Sequence, residues 1–207
     1  MEELRESENI LVFGAPGCGK TTFAKEFMEG KPGLFFTKAL RDRGLVGVPE
    51  IESEEVASIN NKNCFYRIKP PVPPAKWNKA LMDVYNQYVN GCVYYDDIGT
   101  MASGNLTGSL IDIIGGVRHN CNDQIFSFWN PNDCAPFIYQ MATRIVIFKT
   151  GKVELRNREK YPRLEEFEAA MDWVEGQEYK HCYAYFVTDP LNEDSKKPFQ
   201  KFLNIRK

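Results

Sequence analysis

Asn9-Ile-Leu-Val-Phe-Gly14-Ala-Pro-Gly-Cys-Gly-Lys-Thr-Thr22 is the stretch on which the fold turns. It opens with an apolar run, Asn9 to Phe13, of the kind that forms a parallel strand buried on both faces. A glycine-rich loop follows at once. Thr21 to Glu29 then reads as a helix, with Phe23, Phe27 and Met28 at i, i+4 and i+5 on one apolar face, and Gly30 and Pro32 end it. Strand, loop and helix in this order are the context that gives the pattern G-x-x-x-x-G-K-[ST] its meaning. Glycines let successive backbone N–H groups turn inward as an anion nest, and the helix adds its positive N-terminal end. Gly14, Ala15, Pro16, Gly17, Cys18, Gly19, Lys20, Thr21 and Thr22 are therefore expected to hold the phosphates of ATP. In that reading Lys20 reaches the β- and γ-phosphates, the Thr21 hydroxyl ligates Mg²⁺, and Thr22 donates to the α-phosphate.

The rest of the chain continues the alternation. Gly33 to Thr37 reads as a second strand, Glu54 to Ile59 as a short helix and Cys64 to Ile68 as a strand. Pro70, Pro71, Pro73 and Pro74 form a stiff connector. The helix from Ala75 to Val89 carries Trp77, Leu81, Val84, Tyr85 and Tyr88 and delivers the chain to a buried strand, Cys92 to Tyr95. Leu106 to Gly115 reads as a short helix, Gln124 to Trp129 as a strand, Pro136 to Met141 as a helix and Thr143 to Phe148 as a strand. Lys152 to Leu155 reads as a strand pairing behind the turn at Gly151. A helix from Arg163 to Val174 leads to a last strand at Tyr183 to Thr188, and a basic tail follows from Phe199. The order predicts an α/β fold, three-layer αβα, with a mostly parallel central sheet and an extra C-terminal strand. At 207 residues, one phosphate-loop ATPase domain over 1–207 is expected.

Two further strand ends carry chemistry. Cys92-Val-Tyr-Tyr-Asp96-Asp97 sets two carboxylates at the C-terminal end of a buried strand, the edge where ligands bind in open parallel sheets. Asp96 is expected to hold the Mg²⁺ shell and Asp97 to orient or deprotonate the attacking water. The strand ending Phe128-Trp129-Asn130-Pro131 places an amide where it can sense the γ-phosphate, or simply open the next helix; the two roles are compatible. Arg118, before that strand, is a candidate for stabilising transition-state charge on a neighbouring subunit's γ-phosphate.

Composition narrows the setting. A net charge of −2 makes the chain as a whole no electrostatic trap for nucleic acid, although basic residues on a few loops would suffice for a translocase. Two clusters qualify as DNA contacts: Lys38, Arg41 and Arg43, and Lys152, Arg156, Arg158, Lys160 and Arg163. No apolar run is long enough to span a bilayer, and the acidic start is unlike a secretory or mitochondrial leader. Six cysteines lie singly, without a CxxC pair, which reads as thiols in a reducing compartment rather than a zinc site. Cys18, at a free position of the loop, is read as a small filler in preference to a redox switch.

Taken together, the complete phosphate loop, Val93-Tyr-Tyr-Asp-Asp-Ile-Gly99, Val117-Arg-His-Asn-Cys-Asn-Asp123, the strand ending at Asn130, and Ala142-Thr-Arg-Ile-Val-Ile-Phe148 resemble the HerA–FtsK superfamily. Within it they resemble the genome-packaging ATPases of icosahedral viruses with internal membranes. The resemblance implies a homo-hexameric ring that threads double-stranded DNA into a preformed capsid. It also implies contact with a capsid vertex or membrane protein, and a place in host cytoplasm or virion. It implies a sheet in which the sensor strand separates the acidic-pair strand from the phosphate-loop strand, Arg118 as the arginine finger and Arg144 as its alternative. Asn130 stands where the family commonly has Gln, and Asp97 where many members have Glu.

Other readings share parts of this pattern. A filamentous-phage assembly ATPase of the zonula-occludens-toxin type shares the Arg118-His119 region but usually carries a membrane segment. A small nucleotide kinase shares the loop but wants an Arg-rich lid and lacks the paired-carboxylate strand. An AAA+ remodelling ATPase would need a helical lid where the residues after Phe148 read as helix then strand.

Overall fold

The computed structural model describes residues 7–37, 42–69, 76–98, 112–113, 116 and 120–203. The chain divides into two compact units, Met1–Glu8 with Thr21–Phe126, and Asn9–Lys20 with Ser127–Lys207.

In the first unit the short apolar runs form strands β2 (Gly33–Phe36), β3 (Glu50–Ile51), β4 (Phe65–Ile68), β5 (Cys92–Tyr95) and the start of β6 (Asp123–Phe128). They pair in the order β3-β4-β2-β5-β6, all parallel. Every residue of β2, β5 and β6 is buried, as strands covered on both faces require. Helix α1 (Lys20–Phe27) and helix α2 (Trp77–Gln87) belong to the predicted segments. On α2, Trp77, Ala80, Leu81 and Val84 form the buried stripe, and the Trp77 ring meets Phe36 edge-on at 5.2 Å. The apolar face of α1 is shifted from expectation. Ala24 and Met28 are the fully buried residues, while Phe23 and Phe27 stack on each other half-exposed, with the Lys31 ammonium over the Phe27 ring.

The stretch before β4 holds more structure than its composition suggests. A 3₁₀ turn at Arg43–Leu45 is capped by Asp42, the two-residue β3 follows, and the predicted short helix is a 3₁₀ helix over Ser53–Ile59. At the start of β6, buried Asp123 accepts from the Lys31 ammonium at 2.8 Å and from the Glu8 N–H at 3.2 Å.

In the second unit β1 (Asn9–Phe13) pairs parallel with β7 (Arg144–Phe148), β7 antiparallel with β8 (Cys182–Val187), and β8 antiparallel with β9 (Gln200–Leu203). Helices α3 (Pro136–Met141) and α4 (Leu164–Glu175) complete it. Phe167, Ala170, Met171 and Val174 recur at helical spacing on α4, and the Phe167 ring packs against Phe13, Tyr139, Tyr161 and Phe186.

Strand β6 crosses the division. Asp123–Phe126 follow β5, and beyond them the Phe128 carbonyl accepts from the Gly14 N–H at 3.1 Å. Within the second unit, the end of the strand leading to Asn130 thus lies beside the end of the phosphate-loop strand. The result is an α/β fold with a mostly parallel sheet.

Two expectations are corrected. Lys152 to Leu155 is not a strand: the Asn132 side chain donates to the Glu154 carbonyl and accepts from the Arg156 N–H, occupying backbone groups that a ladder would need. Tyr183 to Thr188 is not the last strand either, because four residues of the basic tail pair with it as β9. The predicted helix over 106–115, save Asp112 and Ile113, and the proline connector over 70–74 lie outside the described residues. Among the described residues no helix is long and apolar enough to cross a membrane.

Candidate nucleotide site

The loop leaves β1 between two neighbours: the Gly14 N–H donates to Phe128 and the Ala15 N–H donates to the Lys149 carbonyl at 2.8 Å. Gly17 and Gly19 adopt φ of +73° and +111°, which side chains of L-residues resist. A Cβ at Gly14 would stand 2.5 Å from the Cys18 sulfur and 2.7 Å from Phe148 Cβ, so only glycine fits beneath the loop. The Lys20 side chain folds back over it, its ammonium donating to the carbonyls of Gly14 (2.6 Å) and Ala15 (3.3 Å). Lys20 is 7% exposed, so its charge sits at the loop rather than in bulk solvent. Cys18 is buried, and burial pushes its thiol above the ordinary value, with the nearby Lys20 charge pulling partly back. A neutral, enclosed thiol fits the filler role better than a redox switch.

The last turn before β8 also reaches this loop. His181 Nδ1 lies 3.2 Å from the Cys18 carbonyl, and a Cβ at Gly17 would meet the Lys180 ammonium at 3.4 Å.

Thr21 and the acidic pair belong to the first unit. The Thr21 hydroxyl donates to Asp42 Oδ2 at 3.0 Å, while Asp42 Oδ1 accepts from the Gly44 N–H at 2.7 Å. Thr22 is half-buried on α1. Pairing of Phe36 with Tyr95 puts the next residues, Thr37 and Asp96, side by side at the C-terminal ends of β2 and β5. There the Asp96 N–H donates to the Phe36 carbonyl, Asp96 Oδ2 accepts from the Thr37 hydroxyl at 2.9 Å, and Oδ1 accepts from the Tyr94 hydroxyl at 3.0 Å. Asp97 turns the chain out of the strand with φ +51°, a conformation aspartate tolerates better than most residues.

Thr21, Asp42 and Asp96 offer only hard oxygen, and Mg²⁺ takes one or two carboxylates alongside phosphate and water. A hydroxyl that gives its proton to a carboxylate also keeps its lone pairs for a cation.

The remaining candidates divide. Asn130 lies at the end of β6, where its Oδ1 accepts from the Asn132 N–H at 2.8 Å and its Nδ2 donates to Asp133 at 2.9 Å. It caps the 3₁₀ turn Pro131–Asp133, the second of its two expected roles. The Arg144 guanidinium lies over the Tyr185 ring at 5.5 Å. Arg118 lies outside the described residues, as do Lys38 and Arg41. Much of the second basic cluster is committed internally. Arg158 pairs with Glu168, Lys160 donates to the Cys134 carbonyl above two tyrosine rings, and Arg163 donates to the carbonyls of Val187 and Lys197.

Asp42, Thr37, Lys180 and His181 escaped the sequence reading. No motif marks them; sheet register and loop path bring them in. A polar residue one step beyond a buried strand, as Thr37 is after Phe36, was the one available signal.

A strand, a glycine nest closed by a lysine, and a following helix on a mostly parallel sheet define the phosphate-loop NTPase fold. Among solved structures, the chain is similar to the genome packaging NTPase B204 of Sulfolobus turreted icosahedral virus 2 in complex with AMPPCP. The TM-score is 0.69 at 13% identity, over 97% of this chain and 99% of that one. It is also similar to B204, the DNA-packaging ATPase of Sulfolobus turreted icosahedral virus, with a TM-score of 0.67 at 15% identity over 96% and 98% of the two chains. The virus 2 protein with ATP-gammaS gives 0.62 at 11% identity over 95% and 97%. No family model matches the chain, and no curated protein matches it.

Proposed function

We propose that this chain is an ATP-hydrolysing motor that moves double-stranded DNA, packaging a viral genome into a preformed capsid as a homo-hexameric ring. The observation that carries the reading is the loop itself, with Lys20 held in the glycine nest and Thr21, the next residue, hydrogen-bonded to a carboxylate. End-to-end likeness to packaging NTPases supports the choice of packaging among the uses of this fold.

In this reading the Gly14–Thr22 loop binds the triphosphate, and Lys20 exchanges its loop carbonyls for the β- and γ-oxygens. Thr21 and Asp96 would hold Mg²⁺, with Asp42 orienting the Thr21 hydroxyl, and the ion would neutralise charge on the phosphates. Asp97 takes the proton of the attacking water, and Asn130 senses the γ-phosphate from the end of β6. Arg118 completes a neighbouring subunit's site.

ATP turnover with and without long double-stranded DNA, measured alongside solution mass, tests this. Turnover that DNA stimulates, in a protein that assembles with nucleotide, is expected. No turnover, or transfer of phosphate to a small nucleotide, would overturn it. Arg118→Ala subunits mixed into wild-type protein are expected to depress turnover by more than their share; a proportional loss would remove the trans role.

A further inference from the structure

Nothing in the sequence motif extends past Thr22, yet two residues from the other end of the chain lie on the loop. Their placement follows from register. Phe148 pairs with Tyr183, so the residues just before β8 run beside those just after β7, and Lys149 there already accepts from the Ala15 N–H. The segment Lys180-His181 is thereby laid along the outer side of the loop. All of these residues fall within the second unit.

The His181 contact is specific. A carbonyl oxygen can only accept, so Nδ1, 3.2 Å from the Cys18 oxygen, carries the proton. In a trans peptide the C=O and N–H point in opposite directions. Holding the Cys18 carbonyl toward His181 therefore directs the Gly19 N–H the other way, away from the imidazole. The Cys18–Gly19 peptide has real freedom to turn, because Gly19 sits at φ +111° and glycine samples many conformations. A Cβ at Gly19 would meet His181 Nδ1 at 3.3 Å, so the imidazole packs against this glycine and limits its movement. Lys180 brings a second positive charge, within 3.4 Å of the Cβ position at Gly17, and like Lys20 it acts on the loop's Cys18. Both residues are exposed, and neither is needed to fill the core.

We infer that Lys180 and His181 are part of the nucleotide site: His181 is a positioning residue that presets the Cys18–Gly19 peptide, and Lys180 adds attraction for a polyphosphate. The inference rests on the nucleotide-binding reading of the loop. Preorganised N–H groups bind an anion without first being ordered, so the effect falls on affinity. The Lys180 contribution is that of an exposed charge and is screened by salt.

The test is calorimetric titration of ATP and AMP into wild type and three variants. His181→Phe keeps the ring but cannot donate, and about tenfold weaker ATP binding is expected with an unchanged melting temperature. His181→Asn places an amide N–H near the Nδ1 position and is expected to recover most of the loss. Lys180→Ala is expected to weaken ATP about threefold at low salt, with less effect on AMP and none at high salt. Wild-type affinity in both His181→Phe and Lys180→Ala would overturn the inference while leaving the loop's role intact. Absence of ATP binding by the wild-type protein would instead overturn the reading of the loop, and the inference with it.

Discussion

Lys20→Ala is expected to weaken ATP binding about 100-fold and to lower turnover at least as far. Its ammonium is enclosed, 7% exposed, and donates to Gly14 and Ala15 carbonyls that have nothing to offer an anion. A triphosphate offers the same donor two charged oxygens. Hydrogen bonds to charged groups contribute about 1.5–3 kcal/mol each, and about 1.4 kcal/mol is a factor of ten in affinity. Two such bonds, offset by the loop contacts given up, come to about 100-fold. Gly14 is buried and Ala15 half-buried, so the variant leaves the Gly14 carbonyl without this donor, and a modestly lowered melting temperature with an unchanged circular dichroism spectrum is expected. Isothermal titration with ATP reads the result directly. An unchanged dissociation constant would mean that the loop is not the phosphate site; bound ATP with intact function and no need of Lys20 would point to a nucleotide-holding structural subunit.

The legible parts of this protein are those whose information is local. Strand β1 is four apolar residues in a row after Asn9, α3 opens with a proline at its first turn, and the loop between β1 and α1 is a motif whose spacing is dictated by phosphate geometry. Composition showed less where the chain pairs at long range. Strand β9, Gln200–Leu203, is exposed throughout and charged at one position, and its ladder with β8 and the stacking of Phe202 on Tyr183 and Tyr185 make it a strand. Strand β3 is two residues long and exists through its pairing with β4. Lys152 to Leu155 shows the converse: local pattern suggested a strand, and the Asn132 side chain won the competition for its backbone.

The same division runs through the site. Lys20, Thr21 and Asp96 come from motifs. Asp42 meets Thr21 because the chain after β2 returns to the start of α1, and Thr37 meets Asp96 because β2 and β5 are neighbours in register. Neither fact is visible in spacing. Both change the chemistry, since Asp96 is a carboxylate already fixed by two hydroxyl donors, and such a group is better suited to holding an ion's shell than to moving a proton.

In the proposed reading Asp97 is the acidic-pair residue for proton abstraction, and Asp97→Asn is expected to lower ATP turnover about 1000-fold while ATP affinity changes by less than about threefold. The variant is a clean one for a structural reason. Asp97 stands at φ +51°, in the left-handed region that few side chains accept, and asparagine is the residue that accepts it as readily as aspartate. Substitution by alanine would add backbone strain to the loss of the carboxylate, and its effect could not be divided between them. Asparagine keeps the turn, the size and a carbonyl acceptor, and removes the negative charge and with it the ability to take a proton. Single-turnover hydrolysis and nucleotide titration together separate the step from binding. Retained hydrolysis in Asp97→Asn would move the base elsewhere. Asp42 is then the next carboxylate to test, because it already accepts the Thr21 hydroxyl proton and lies beside the residue expected to meet the metal. Asp42→Asn would in that case abolish hydrolysis, whereas a residue that only orients Thr21 would shift the Mg²⁺ concentration needed and leave the hydrolytic step at saturating Mg²⁺ nearly unchanged.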